Sequence, residues 1–270
     1  MERLIDDVPI HYEVRGAGRP VIILHGTPLD HHSVEACLEP IFSTRKGWRR
    51  IYPDLPGFGK TPGPDWIENN DQMLHIILKF IETLTLGERF AVVGESYGGY
   101  LARGIVHETS SQVEGLLLWT PAKYLKSERR LPPRVVRIKD DQIAKGLTTD
   151  AERSIFGLFV VQSKDAVEFA RKHVIPGWEM ANEKFAERVV NTKFSFDLNS
   201  IRFSEPTFII CGRQDSVVGY EDSFEILTNY PKATFVVVDG AGHTLGFTEG
   251  LPLFRAAVNT WLDSLEIKER

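Results

Sequence analysis

The sequence predicts an α/β fold: a mostly parallel sheet with helices on both faces. Short apolar runs at 21–24, 115–119 and 207–211 are typical of strands buried on both faces. Helical patterns, such as the one over 66–84, alternate with these runs. Strands that alternate with helices form parallel sheets, because each connection must cross back over one face.

The predicted elements follow one another regularly as far as residue 120. Two short strands are expected first, joined to the rest by a turn at 16–18. The full set of predicted strands is 2–7, 9–15, 21–24, 50–53, 90–93, 115–119, 207–211 and 234–238.

Residues 121–205 break this order, because they contain helical patterns at 151–161 and 165–173 and no strong buried strand. They carry sixteen basic and twelve acidic residues, whereas the remaining chain carries sixteen and twenty-five. We expect a helical cap at 121–205, inserted into a core domain made of 1–120 and 206–270. The stretch 121–139 has seven basic residues and one acidic residue. This composition is typical of a solvated loop, or of a mobile lid edge that attracts anionic substrates.

The composition is that of an ordinary globular protein, with 42% apolar and 26% charged residues in a chain of 270. The net charge of −5 argues against nucleic-acid binding. Cys37 and Cys211 are too few for a disulfide framework and lack metal-ligand spacing. The first residues contain no apolar signal segment, and no run of 18 apolar residues occurs. We therefore expect a cytoplasmic protein that has no membrane partner and binds no metal. The sequence does not indicate an oligomeric state.

One pentapeptide suggests chemistry: Gly94-Glu95-Ser96-Tyr97-Gly98, which joins a predicted strand to a helical pattern. A serine on such a sharp turn presents its hydroxyl away from the chain, and small residues are needed two positions to either side. The following helix directs unpaired N–H groups towards the serine. Ser96 is the predicted nucleophile, and Glu95 is expected to face away from the pocket.

A serine nucleophile needs a histidine base, and the base needs an orienting acid. Only His25 and His243 follow the carboxyl end of a predicted strand, where open α/β sheets gather their sites. His243 lies in a glycine-rich loop and is the predicted base, whereas His25 suits a turn held by hydrogen bonds.

The orienting acid should also follow a strand. Asp215 comes after the strand at 207–211 and is the predicted acid; the strand that follows the serine helix ends without a carboxylate. Asp239 is the rival, although it reads more simply as the residue that closes its strand. Asp54 precedes a Pro-Gly turn and suits a turn residue.

An oxyanion needs backbone donors. The N–H groups of Tyr97, after the nucleophile, and of Thr27, in the loop after the third strand, are the candidates. Pro28 has no N–H and cannot serve.

These motifs together resemble the α/β-hydrolase superfamily over nearly the whole chain. The matching segments are 24–26, 54–59, 94–99, 212–215 and 242–243, in the order that is typical of the superfamily. The resemblance implies an eight-stranded, mostly parallel sheet with a helical cap, no cofactor, and cleavage of a small-molecule substrate through a covalent intermediate.

Departures from subfamily patterns narrow the expected reaction. Ser96 excludes the haloalkane dehalogenases and epoxide hydrolases, whose nucleophile is aspartate. The loop His25-Gly26-Thr27-Pro28 lacks the H-G-G-P-G pattern of prolyl aminopeptidases and the Gly-Pro-Gly run usual in meta-cleavage hydrolases. A carboxylesterase is the expected function; C–C or amide hydrolysis, or a slow-turnover ligand receptor, remain alternatives.

Large side chains of the cap are candidates to line the substrate pocket. They are Phe156, Phe159 and Trp178. Equally, they could hold the cap to the sheet.

Overall fold

The computed structural model describes residues 1–123 and 130–267 and contains one eight-stranded sheet. The strands are β1 Glu2–Ile5, β2 Val8–Arg15, β3 Arg19–Leu24, β4 Trp48–Pro53, β5 Phe90–Glu95, β6 Val113–Trp119, β7 Thr207–Gly212 and β8 Ala233–Val238. Their order is β1-β2-β4-β3-β5-β6-β7-β8, and β2 runs antiparallel to β1 and β4. All other neighbours are parallel, so the predicted fold class is confirmed.

Helices cover both faces of the sheet. On one face lie α2 Asn70–Thr85 and α3 Tyr97–Thr109, and on the other lie α1 His31–Phe42 and α10 Leu251–Ile267. The side chains of β3 alternate between these two layers: Ile22 joins the first cluster, and Val21 and Ile23 join the second. An uninterrupted apolar run therefore fills two cores at once, because successive side chains of a strand point to opposite faces.

Between β6 and β7 the chain forms short helices. They are α4 Asp141–Lys145, α5 Asp150–Phe156, α6 Lys164–His173, α7 Ile175–Met180 and α8 Glu183–Val189. Within the described part of 121–205, the only β-pairing is an isolated bridge between Ile138 and Val161. The predicted helical insertion is thus present. Its division from the core as a separate domain stays a prediction, because its helices share both apolar clusters with the sheet.

The basic stretch 121–139 is tied to the acidic part of the chain. Arg130 contacts Asp222 of α9 (Tyr220–Glu225) at 2.7 Å, and Arg137 contacts Asp239 at 2.7 Å. Two of its basic residues, Lys126 and Arg129, lie outside the described residues. The ion pairs join both ends of 130–137 to the chain that follows β7 and offset the positive charge of this stretch.

Both cysteines are buried. No described helix combines the length and the apolar character that a membrane span requires.

Candidate active site

The turn between β5 and α3 holds Ser96 in a conformation that few residues adopt. Its φ is 51° and its ψ is −114°, a strained combination for an L-residue. A Cβ on Gly94 would lie 2.6 Å from the carbonyl carbon of Gly98, and a Cβ on Gly98 would lie 2.7 Å from the carbonyl oxygen of His25. Both glycines are therefore required by close backbone approach, as the pentapeptide predicted.

Three predicted side chains meet above this turn. His243 Nε2 lies 3.0 Å from Ser96 Oγ, and His243 Nδ1 lies 2.9 Å from Asp215 Oδ2. The three residues come from the loops after β5, β7 and β8, which are neighbouring parts of one sheet edge. With Nδ1–H donated to the carboxylate, the Nε2 lone pair faces the hydroxyl and can accept its proton.

Asp215 is fully buried and still suited to remain ionised. Burial alone would raise the pKa of Asp215, but the positive charge and hydrogen bond of His243 and the N–H groups of Val218 and Val217 outweigh it. The pKa of this carboxyl is therefore lowered. Those two N–H groups each donate to Oδ1 at 2.9 Å, which leaves Oδ2 for the histidine.

The rival residues have other partners. Asp239 is exposed and binds both terminal nitrogens of the Arg137 guanidinium at 2.7 Å. His25 is buried, with Nδ1 donating to the Gly26 carbonyl at 2.8 Å and Nε2 accepting from Leu55 N–H at 3.0 Å. The contacts of His25 match the turn-holding role that the sequence suggested, whereas Asp239 is paired with Arg137 of the insertion.

Asp54 and its neighbours form a buried polar cluster under the same edge. Asp54 accepts from Lys60 N–H at 2.9 Å and lies 2.7 Å from His31 Nδ1. With His11, these side chains place three possible metal-ligand atoms within 4.8 Å of one another. The Asp54 carboxylate already stabilises the turn that contains Lys60 and the start of α1, because it also accepts the N–H of His31 at 3.0 Å.

The two predicted oxyanion donors are the backbone N–H groups of Tyr97 and Thr27. Tyr97 is the first residue of α3, so its N–H has no partner within the helix. Thr27 follows Gly26, whose backbone lies so close to the serine that an added Cβ would be 2.7 Å from Ser96 Cβ. Both donor-bearing segments therefore border the nucleophile.

The aromatic cap residues are mostly packed. Phe159 is fully buried in the apolar cluster beneath the sheet face that α1 covers, and the partly exposed Trp178 packs against that cluster. Phe156 is buried at the end of α5 and lies outside both clusters. Their contact with a substrate stays a prediction.

Two glutamates lie near the histidine. The expectation that Glu95 faces away from the site is wrong, because its carboxylate is directed towards His243, and Glu249 had no role predicted from the sequence. The buried Glu95 has Oε1 at 3.8 Å from His243 Nε2, and burial raises its pKa to about 7. Glu249 binds the backbone beside His243 at 3.0 Å. The G-x-S-x-G pattern contains Glu95, whereas Glu249 lies in none of the five matching segments.

Comparison with known proteins agrees with this architecture. Among curated proteins, a 2-hydroxy-6-oxo-6-(2'-aminophenyl)hexa-2,4-dienoic acid hydrolase of Metapseudomonas resinovorans is 25% identical, covering 90% of this chain and 84% of its own. A pimeloyl-[acyl-carrier protein] methyl ester esterase of Legionella pneumophila strain Paris is 24% identical, with coverage of 87% and 91%. Other relatives of similar identity are named non-heme chloroperoxidases.

A crystal structure of an alpha/beta superfamily hydrolase from Oenococcus oeni PSU-1 superimposes with a TM-score of 0.87 at 26% identity. It covers 98% of this chain and 99% of the other. The model of the alpha/beta hydrolase family matches residues 21–256, which is most of the sequence. The protein is therefore a member of the alpha/beta hydrolase family.

Proposed function

We propose that this protein is a serine hydrolase that cleaves a small-molecule carboxylic ester. The observation that carries the proposal is the line of hydrogen bonds from Asp215 through His243 to Ser96, at 2.9 and 3.0 Å. A hydroxyl, an imidazole and a buried carboxylate in this order form the device that makes serine nucleophilic near neutral pH.

Acylation of Ser96 uses all three side chains and both backbone donors. Ser96 Oγ attacks the ester carbonyl carbon while His243 Nε2 takes the hydroxyl proton, and Asp215 stabilises the imidazolium that forms. The carbonyl oxygen becomes an oxyanion that the N–H groups of Thr27 and Tyr97 would stabilise. His243 then gives its proton to the alkoxide oxygen as the ester C–O bond breaks, and the alcohol leaves an acyl group on Ser96.

Deacylation repeats the same proton transfers with water. His243 takes a proton from a water molecule, whose oxygen attacks the acyl carbon. The tetrahedral intermediate then collapses, the proton returns to Ser96 Oγ, and the carboxylic acid is released. These steps need no cofactor.

C–C bond hydrolysis is the second candidate, supported by the relative named as a dienoic acid hydrolase. The absent Gly-Pro-Gly run after His25-Gly26 favours the ester. Both reactions would use the same triad, so rates on ester and on dienoic acid substrates distinguish them.

The proposal is tested by ester turnover and by a fluorophosphonate probe, which labels activated serines covalently. We expect steady-state hydrolysis of short p-nitrophenyl esters and labelling of wild type. Ser96→Ala should lower kcat on the order of 10⁴–10⁶-fold and abolish labelling, with an unchanged circular dichroism spectrum. Labelling at another residue would overturn the assignment, and labelling without steady-state turnover would favour a slow receptor.

A further inference from the structure

A buried carboxylate, that of Glu249, binds the loop that carries His243. Glu249 lies between β8 and α10 and is 4% exposed. Its Oε2 accepts the N–H of Gly242 at 3.0 Å and the hydroxyl of Thr244 at 2.9 Å. The residues immediately before and after the histidine are therefore held by one oxygen atom.

The other oxygen of Glu249 faces the cap. Oε1 accepts the N–H of Val161 at 2.7 Å, and Val161 pairs with Ile138 in the isolated bridge. The neighbouring Val160 packs against the histidine loop so closely that a Cβ on Gly242 would lie 3.1 Å from Val160 Cγ2. One side chain thus joins the histidine loop to the chain segment between α5 and α6.

An ionised carboxylate suits these partners, because two of them are backbone N–H donors and the third, the Thr244 hydroxyl, donates as well. Burial raises the pKa of Glu249, while the bonds from Gly242, Val161 and Thr244 favour the charged form. A glutamine would keep the size of the side chain. It would nevertheless turn an NH₂ group towards Val161 N–H or towards Gly242 N–H, leaving a buried donor unpaired.

We propose that Glu249 is a positioning residue that fixes the His243 loop against the docked cap and so sets the distance from His243 Nε2 to Ser96 Oγ. The inference rests on the proposed function, in which His243 is the base. The loop contains Gly240 and Gly242, which have no side chains that could pack and hold the histidine in place. A displacement of about 1 Å at such a base can cost on the order of 10²-fold in rate.

The test compares Glu249→Gln with Glu152→Gln, using the rate at which fluorophosphonate labels Ser96. Glu152 is a matched control, since it is also buried and accepts the N–H groups of Thr148 and Thr149 and the Thr148 hydroxyl. Its remaining partner, Arg171, also lies in the cap. Glu249→Gln should slow labelling about 10–100-fold, whereas Glu152→Gln should stay within about twofold of wild type.

Two further readouts separate positioning from general loosening of the fold. The KM of Glu249→Gln for a short p-nitrophenyl ester should change less than about twofold, because Glu249 is proposed to act through His243 and not on substrate. The downfield proton resonance of His243 Nδ1–H should move or broaden in Glu249→Gln and remain in place in Glu152→Gln.

Equal labelling rates for wild type and a folded Glu249→Gln, or equal losses in both variants, would overturn the inference while leaving the proposed function intact. If Glu249→Gln does not fold, Thr244→Val removes one hydrogen bond at nearly constant volume, and labelling should slow several-fold; no change would again overturn it. Wild type that is not labelled at all would overturn the proposed function and this inference with it.

Discussion

Two aspartates at the carboxyl edge of the sheet have similar places in the sequence and opposite surroundings. Asp215 follows β7 and is buried against His243, whereas Asp239 follows β8 and is exposed at the rim beside Arg137. Hydrogen bonds from Arg137 and Gln214 lower the pKa of Asp239 to about 2. Both carboxylates are ionised at neutral pH, but only the buried one is shielded from water and can orient a base.

The largest expected effect is the difference in kcat between a substitution of Asp215 and a substitution of Asp239. Asp215→Asn should lower kcat about 10⁴-fold, because an amide facing Nδ1 favours the tautomer that carries its proton on Nε2. Asp239→Asn should change kcat less than about threefold, since it removes only rim contacts to Arg137 and Gln214. Steady-state ester hydrolysis measures both variants, and the reverse ranking would make Asp239 the orienting acid.

The next effect concerns Glu95, the other buried acid beside His243. Because burial raises its pKa from 4.5 to about 7, the folded state binds this proton more tightly than the unfolded chain. Wild type should therefore lose stability relative to Glu95→Gln as pH rises from about 4.5 through 7, by roughly 3 kcal/mol in total.

Chemical denaturation at pH 5 and pH 8 measures this difference. Asp239→Asn is the control at an exposed position. Because the pKa of Asp239 is about 2, its contribution to the free energy of unfolding is lost only at lower pH and should be constant between pH 5 and pH 8. A gap between wild type and Glu95→Gln that does not vary with pH would show that Glu95 does not titrate there.

The smallest effect belongs to the cap aromatics. Trp178→Ala and Phe156→Leu should shift the preference between short and longer acyl chains by about 1–3 kcal/mol, with little change on the smallest ester. Phe159→Leu, at a fully buried position, should mainly lower stability. Ratios of kcat/KM across an ester series measure the shift, and equal slowing of every ester would assign these residues to structure or catalysis.

The sheet and the central residues could be predicted because they depend on short-range patterns. Uninterrupted apolar runs identified β3 and β7, and a residue that follows a parallel strand must lie at one edge of the sheet. Ser96, Asp215 and His243 all obey that rule, and the structure brings their side chains together.

The contacts of the cap could not be predicted in the same way. The helical pattern at 151–161 continues beyond α5, yet the helix ends at Phe156 and the chain extends to pair Val161 with Ile138. That pairing is what presents Val161 N–H to Glu249, 88 positions later in the chain. Such a contact depends on how the insertion packs against the sheet, and the local periodicity of the sequence does not predict it.

The neighbouring strands β6 and β7 have a consequence for synthesis on the ribosome. Leu116 pairs with Thr207, so the whole insertion must be translated before the sheet can grow past β6. At about 5–20 residues per second, the nascent chain waits roughly 5–20 s with one apolar strand edge unpaired. Ser96 emerges before that interval, and Asp215 and His243 emerge after it. Under the proposed mechanism, activity therefore requires the last quarter of the chain, and the unpaired edge of β6 is exposed until that part is synthesised.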